Sequence, residues 1–263
     1  MMLPVTSIAR VLKSAVPLRV AGGVPTPACS RTVQVVPPPR QGVRRFATWV
    51  AESCEPGARV LDIGAGCNLS GPLRPLVRQE PYLVGVDPDE SILRNPCLDE
   101  RHQMSMEDFA TDHAEQFDAA FAIYVLEHVC HPREFIAACA RVLKPGGSLF
   151  ALTLNMHQYF GLLTWASTRV GLSDRILGRL KTRSIVAAYH FPTQYRLNSI
   201  RTVSHHLDAA GFSSVDFRCY DDTTRYGWYL PSGARWFAPA YTRTAYAIGS
   251  PELMGHLSFR AVK

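Results

Sequence analysis

The chain has 263 residues, of which 47% are hydrophobic and 19% are charged, a composition typical of a globular protein with a substantial buried core. No apolar run reaches the ~18 residues of a membrane-spanning helix. Seven of the 28 basic residues lie in residues 1–45, which contain no acid, so 21 basic and 22 acidic residues remain for the rest. This nearly neutral body argues against a nucleic-acid partner, which would need a positive surface.

The amino-terminal segment predicts an extension outside the fold. Residues 25–42 contain five prolines and no repeat, which is typical of a linker. We therefore expect a basic, disordered extension over residues 1–40 and a single domain over residues 41–263. The seven cysteines never occur as C-x-x-C, which favours a reducing compartment. We expect a cytoplasmic protein, or one of the mitochondrial matrix if the first residues are a transit peptide.

Apolar strands alternate with helices through the first part of the domain. This alternation predicts an α/β fold in which helices cover both faces of a mostly parallel sheet. The predicted helices are 43–54, 72–78, a short helix after Pro88, and 132–143, and the predicted strands are 59–63, 82–87, 102–104, 117–124 and 148–155.

The pattern changes after Asn155. A helix over residues 197–212, ended by Gly211, precedes strands at 213–220 and 255–263, which bring the sheet to seven strands. Residues 156–196 and 221–250 form two inserts rich in aromatic side chains. We expect the helical first insert to act as a lid, although about half of these aromatic residues would simply pack the inserts onto the body.

The segment RVLDIGAGCNLSG, residues 59–71, predicts a strand that runs into a glycine turn. A turn without a ligand is one interpretation. A dinucleotide loop, G-x-G-x-x-G, would have its third glycine where this chain has Leu69. The Asp62 carboxylate would also repel a pyrophosphate but would suit a cationic ligand.

Asp87 ends the next predicted strand, 23 residues after Gly64. A carboxylate at this position can accept hydrogen bonds from both hydroxyls of a ribose. The alternative is a helix cap ahead of the residues PDESIL. Asp87 therefore indicates an adenosine-containing ligand without identifying it.

Five segments in register over residues 59–155 carry a specific resemblance, namely VLDIGAG, VGVDPDESIL, MSMEDFA, FDAAFAIYVLEHV and ARVLKPGGSLFALTLN. They resemble the class I S-adenosylmethionine-dependent methyltransferases, whose fold is Rossmann-like and seven-stranded. The segments LEHV and LKPGG resemble the branch that includes ubiquinone-pathway O-methyltransferases and natural-product methyltransferases. The resemblance implies an enzyme with S-adenosyl-L-methionine as its cofactor.

The resemblance also implies which residues hold this cofactor. The methionine part would lie against the glycine loop, which consists of Asp62, Gly64, Ala65 and Gly66. The ribose would lie against Asp87 and Pro88, and the adenine edge against Met106 and Glu107. Tyr124 would line the cofactor beneath the methyl group. Two positions depart from the family pattern, because Asn68 replaces the third glycine and Ser105 replaces an acidic residue.

A third departure concerns metal ions. Some quinone-pathway relatives carry an acidic residue where this chain has Tyr124 and use it with a glutamate and a histidine to bind a divalent cation. Glu127 and His128 are then two ligands without the third, so we expect no metal. Helix-entry packing and capping are the alternative roles for both residues.

The expected reaction is transfer of a methyl group to a small-molecule acceptor, chiefly a hydroxyl oxygen of an apolar or aromatic metabolite. Such a transfer needs a base for the hydroxyl proton. We predict His157 or His190, chosen from a set that also contains His128 and His131. The alternatives are transfer to nitrogen or carbon, or a binding protein without turnover, and the oligomeric state is left open.

Overall fold

The computed structural model describes residues 29–39, 42–67, 76, 79–159, 192–222, 230 and 232–263. Three sequence predictions therefore lie largely outside the described residues: the extension before residue 29, the helix at 72–78 and the lid within the first insert. Among the described helices, none combines the length and the apolar character that crossing a bilayer requires.

Eight strands form one mixed sheet in the order β1-β7-β8-β6-β5-β2-β3-β4. All neighbouring pairs are parallel except those of β8, which runs antiparallel to β6 and β7. The strands are β1 (Ser30–Val35), β2 (Arg59–Ile63), β3 (Tyr82–Val86), β4 (Glu100–His102), β5 (Phe117–Ile123), β6 (Leu143–Leu154), β7 (Ser214–Tyr220) and β8 (His256–Val262). The predicted Rossmann-like α/β fold is confirmed, with one strand more than expected.

The additional strand, β1, lies inside the segment that the sequence analysis assigned to the extension. It pairs in parallel with β7, from Ser30 opposite Ser214 to Val35 opposite Cys219. Thr32 Oγ1 also donates a hydrogen bond of 2.6 Å to Asp216 Oδ1. The prediction of seven strands was wrong because five of the six β1 side chains are exposed. An edge strand of this kind has little hydrophobic pattern and depends on its partner strand.

The described helices are α1 (Gly42–Glu52), α2 (Met106–Asp112), α3 (Pro132–Val142), α4 (Ile200–Ala209) and α5 (Phe237–Ile248), with short 3-10 turns at Glu90–Arg94 and Leu126–His128. Ser199 caps α4 by accepting a hydrogen bond from the Thr202 amide, and Gly211 follows the helix with φ of +83°. The boundaries predicted for α1, α3 and α4 agree with these to within about three residues. The strand predicted from residue 148 begins instead at Leu143 and passes through the KPGG segment.

Apolar side chains cover both faces of the sheet. In β2, Leu61 belongs to the buried cluster that contains α3 and α4, whereas Val60 belongs to the cluster that contains α1. Successive side chains of a strand point to opposite faces, so a strand that is buried on both faces reads as continuously apolar. This burial fixes the strands and leaves the loops at their carboxyl ends to form a site.

Candidate functional site

The carboxyl ends of β2, β3 and β5 meet at one edge of the sheet and enclose a cavity of about 370 Å³. Open α/β sheets bind ligands at this edge. The lining residues are Ile63, Gly64, Val86, Asp87, Pro88, Met104, Ser105, Met106, Glu107, Ile123, Tyr124, Val125, His128, Val129, Cys130, His131 and Phe135. Six of the predicted cofactor residues therefore lie on one cavity: Gly64, Asp87, Pro88, Met106, Glu107 and Tyr124.

The loop after β2 needs glycine for two separate reasons. Gly64 has φ of +71°, and a Cβ there would lie 2.4 Å from Val125 Cγ2. Gly66 has φ of +46°, which is also in the left-handed region that favours glycine. The Gly64 amide donates a hydrogen bond of 2.8 Å to the Val86 carbonyl. The loop backbone is therefore held close to β3 and to the cavity wall.

Asp87 joins the glycine loop to the turn after β3. Its Oδ2 accepts a hydrogen bond of 3.0 Å from the Gly66 amide, and its Oδ1 accepts one of 2.8 Å from the Asp89 amide. Burial raises the pKa of this carboxyl, and the two amides oppose the rise. Each carboxylate oxygen has a second lone pair, so Asp87 can hold the loop and still accept hydrogen bonds from two hydroxyls of a ligand.

Asp62 lies behind the loop and is only 5% exposed. Among the residues that the structure describes, none donates a hydrogen bond to its carboxylate. Burial, followed by the nearby Asp87 charge, holds the pKa of Asp62 well above its ordinary value. A buried carboxylate without compensation is costly, and a cation in the loop would lower this cost. Asp62, Ala65 and Gly66 are not among the residues that line this cavity.

One wall of the cavity consists of the residues around the start of α2, where the sequence analysis expected the adenine edge. Met104 and Met106 supply apolar surface, and Ser105 and Glu107 supply polar groups. Ser105 Oγ accepts a hydrogen bond of 3.1 Å from the Asp108 amide, which caps α2. Ser105 therefore already has a structural role, whereas Glu107 lines the cavity with an acidic side chain.

Tyr124 follows β5 with an unusual backbone conformation, since its φ is +57°. Side chains larger than glycine rarely adopt this region, and such residues occur often at functional sites. The Tyr124 amide donates a hydrogen bond of 2.8 Å to the Leu152 carbonyl, so the strand edge holds the residue in place. The Tyr124 ring lines the cavity and contacts His256 edge-on, with 6.3 Å between the ring centroids.

Glu127 and His128 are adjacent in sequence but contact different parts of the molecule. Glu127 is 5% exposed, and its Oε2 accepts a hydrogen bond of 2.8 Å from Thr153 Oγ1. Burial raises the pKa of Glu127 to about 7. The His128 side chain lies instead on the cavity wall.

His157 lies just beyond the carboxyl end of β6 and does not line the cavity. Its Nδ1 is 2.6 Å from Glu252 Oε2, and both side chains are nearly half exposed. His190 lies outside the described residues. Glu252 could not be recognised from the sequence, because 95 residues separate it from His157. Val125 could not be recognised either, because its contact with Gly64 exists only in the folded chain.

Comparison with known proteins identifies the family of this chain. The Methyltransferase domain family matches residues 37–215. The mitochondrial ubiquinone biosynthesis O-methyltransferase of Mus musculus is 41% identical over 113 residues, which cover 39% of this chain and 30% of that protein. The ubiquinone biosynthesis O-methyltransferase of Xanthomonas axonopodis pv. citri (strain 306) is 42% identical over 115 residues, or 41% of this chain and 48% of that protein.

The fold is similar to that of a SAM-dependent methyltransferase from Archaeoglobus fulgidus, with a TM-score of 0.55, 16% identity, and coverage of 86% of this chain and 95% of that one. The family match covers more than half of the chain, so the chain belongs to the Methyltransferase domain family. Its fold is that of the class I S-adenosylmethionine-dependent methyltransferases. The chain spans less than half the length of either ubiquinone relative.

Proposed function

We propose that this protein transfers a methyl group from S-adenosyl-L-methionine to a hydroxyl oxygen of an apolar or aromatic small molecule. The observation that carries the proposal is the cavity at the carboxyl ends of β2, β3 and β5, where six cofactor residues predicted from the sequence lie together. The choice of oxygen is supported by the two relatives, whose names describe O-methyltransferases of ubiquinone biosynthesis.

The residues of the cavity fit the cofactor. The bound cofactor supplies an electrophilic methyl group on a sulfonium sulfur. Asp87 would accept hydrogen bonds from the ribose, and the buried charge of Asp62 would favour the cationic methionine part. Met106 and Glu107 would contact the adenine edge. Tyr124 would line the cavity beneath the methyl group, and its fixed backbone would help to hold the acceptor in line with the reacting bond.

Aromatic side chains near the carboxyl edge support an apolar acceptor. The Tyr159 ring contacts Phe237 and Tyr241, with centroids 5.3 and 4.8 Å away, so these three residues pack α5 against the end of β6. Trp236 is 69% exposed. Part of the aromatic content is therefore structural, as the sequence analysis expected, and the exposed part presents apolar surface to a ligand.

His157 is our proposed base for an acceptor that extends from the cavity toward the end of β6, and Glu252 is the residue that orients it. The Nδ1–H group donates a hydrogen bond to Glu252, which leaves the Nε2 lone pair for the hydroxyl proton of the acceptor. Glu252 would then stabilise the imidazolium that forms. His128, which lines the cavity and has Nδ1 3.3 Å from the Pro192 carbonyl, provides the matched comparison.

Transfer of a radiolabelled methyl group to a panel of phenols, lipid hydroxyls, sugars, amines and RNA would test the proposal. We expect labelled phenol or lipid product and no labelled RNA. Labelled amine or RNA as the main product would contradict the choice of acceptor. If the cofactor binds but no member of the panel is labelled, the protein binds the cofactor without methylating any of these acceptors.

The role of His157 has its own test once an acceptor is known. His157→Gln should lower kcat by roughly 10²–10⁴-fold and leave the affinity for S-adenosylhomocysteine unchanged, because general bases contribute about this much. His128→Gln should have a much smaller effect. A larger loss of kcat in His128→Gln than in His157→Gln would assign the role of base to His128.

The cellular location belongs to the same proposal. The mouse relative is named as mitochondrial, whereas the name of the Xanthomonas relative gives no compartment. Fractionation of the source cells with an antibody would distinguish a cytoplasmic enzyme from a mitochondrial one, and we expect the cytoplasmic fraction.

A further inference from the structure

Three potential metal ligands meet at the outer edge of the sheet. Glu100 and His102 lie two residues apart on β4, and His113 follows the end of α2. One ligand atom from each residue lies within 4.8 Å of those of the other two, and all three side chains are half-buried. Within the part of the chain that the structure describes, this is the one such group of three. We propose that it is a binding site for a zinc-like transition-metal ion.

His113 is oriented as a metal ligand should be. Its Nδ1 lies 2.8 Å from the Phe109 carbonyl oxygen, and its ring stacks on Phe109 with 3.9 Å between centroids. A carbonyl oxygen only accepts hydrogen bonds, so Nδ1 carries the proton and Nε2 of the neutral ring has a lone pair. Histidines that bind metals donate their second nitrogen to a backbone carbonyl in this way.

Glu100 and His102 complete the ligand set. His102 Nε2 lies 2.7 Å from Glu100 Oε1, and Arg59 Nη2 holds Glu100 Oε2 at 3.0 Å. In the metal-free protein a proton occupies the short contact between Glu100 and His102. A bound ion takes its place, and the proton leaves Nε2 for solvent or for Nδ1 of the same ring.

The ligand types select the class of ion. Two imidazole nitrogens and one carboxylate oxygen form a common zinc set with water in the fourth position. Magnesium and calcium prefer sites made of oxygen alone. Ligand atoms around tetrahedral zinc lie about 3.3 Å apart, so Glu100 Oε1 and His102 Nε2, which are 2.7 Å apart, must separate slightly while His113 adjusts to the ion. The edge strand and the helix end that carry these residues leave room for this movement.

The site is separate from the methyl-transfer centre. The amide of Asp87 donates a hydrogen bond of 3.1 Å to the His102 carbonyl, and residues 104–107 between His102 and His113 line the cavity at the expected adenine edge. An ion would therefore link β4 to α2 beside the cofactor without touching the acceptor. Cofactor binding and metal binding can be measured independently.

Titration of the full chain with Co²⁺, followed by competition with Zn²⁺, tests the proposal. We expect one Co²⁺ per chain, visible absorption typical of four-coordinate cobalt, and no charge-transfer band from a cysteine thiolate. His113→Gln and Glu100→Gln should each lose the bound ion while retaining S-adenosylhomocysteine binding, which shows that the variants are folded. Zn²⁺ should displace Co²⁺ from the wild-type protein.

His206→Gln is the matched control, because His205 and His206 are also neighbouring imidazoles, with 5.1 Å between their ring centroids. This variant should bind Co²⁺ as the wild type does. Loss of the ion in His206→Gln, a thiolate band, or unchanged binding in His113→Gln would overturn the proposed site. Absence of stoichiometric binding to the wild type would do the same.

Discussion

Carboxylates at the amino ends of the parallel strands are paired and partly exposed, whereas those at the carboxyl ends are buried. At the amino ends, Asp118 accepts hydrogen bonds from Lys144 Nζ at 2.6 Å and from the Arg59 amide at 2.9 Å. Partial burial opposes these contacts, but the contacts win and hold the pKa of Asp118 below its ordinary value. At the carboxyl ends, burial raises the pKa values of Asp62, Asp87 and Glu127.

This difference separates carboxylates that stabilise the fold from carboxylates that are available for a ligand. Asp118 already pairs with Lys144 at the protein surface, so it gains little from a cation in solution. A buried carboxylate such as Asp62 lowers the stability of the empty protein and is relieved when a positive ligand binds. Substitutions at Gly64, Asp62 and Asp118 would test this difference between the two ends of the strands.

Gly64→Ala should have the largest effect. The new Cβ would lie 2.4 Å from Val125 Cγ2, on a residue with φ of +71°, so either the loop or the Val125 side chain has to move and the cavity wall changes. We expect the affinity for S-adenosylhomocysteine to fall by more than about 100-fold, or roughly 3 kcal/mol, in titration calorimetry.

Gly57→Ala is the matched control, because Gly57 has φ of +75° but a methyl group there would meet nothing within 4 Å beyond its own chain neighbours. It should cost about 1 kcal/mol of stability from backbone strain and leave the affinity unchanged. If Gly64→Ala bound the ligand as Gly57→Ala does, the loop would not be part of the cofactor site.

Asp62→Asn should stabilise the empty protein and weaken the binding of S-adenosylmethionine. The folded pKa of Asp62 lies above the unfolded value of 3.8, so the folded state binds more protons and loses stability as the pH rises between the two values. The variant removes this loss, and its Tm at neutral pH should be higher. Affinity for the cationic ligand should fall about tenfold, which is about 1.4 kcal/mol.

The pH dependence of binding sharpens the same comparison. A cation favours ionised Asp62, so affinity in the wild type should rise with pH through the raised pKa, and this rise should be much smaller in Asp62→Asn. Equal slopes in the two proteins, measured by calorimetry across the acid range, would remove Asp62 from the binding site and assign the dependence to Asp87.

Asp118→Asn should have the smallest effect, and it should lower the stability of the protein, whereas Asp62→Asn should raise it. The Asp118 and Lys144 side chains are 41% and 44% exposed, so solvent screens the pair and the loss should be about 0.5–1 kcal/mol. The depressed pKa contributes stability above the unfolded value of 3.8, and this stability is lost as the pH falls through the folded pKa.

Urea unfolding at neutral pH and near pH 2 would measure this change. The variant should be less stable than the wild type at neutral pH and equal to it near pH 2, with unchanged cofactor affinity throughout. A variant as stable as the wild type at neutral pH would show that the amino-end ion pair contributes nothing measurable.

The parts of the fold that the sequence predicted well are those with local signals. The apolar runs of β2, β3 and β5 are buried on both faces, so their limits agree with the structure to within one residue. The glycines of the loop and Asp87 at the end of β3 were recognisable because short-range geometry requires these residue types.

The parts that the sequence could not predict depend on contacts between distant segments. The three residues of β4 are all polar or charged and only half-buried, so the strand was placed two residues too late. The exposed β1 was missed for the same reason. The pairing of His157 with Glu252 and the contact of Gly64 with Val125 arise only after the chain has folded.

The position of β8 has a consequence for synthesis of the chain on the ribosome. Because β8 lies between β6 and β7, β7 and β1 have no connection to the remainder of the sheet until His256–Val262 has emerged. About 100 residues separate the end of β6 from the start of β8, which corresponds to about 5–20 s of translation at roughly 5–20 residues per second. A nascent chain therefore carries the β6 edge exposed throughout this interval, and a chaperone that covers strand edges would find its substrate there.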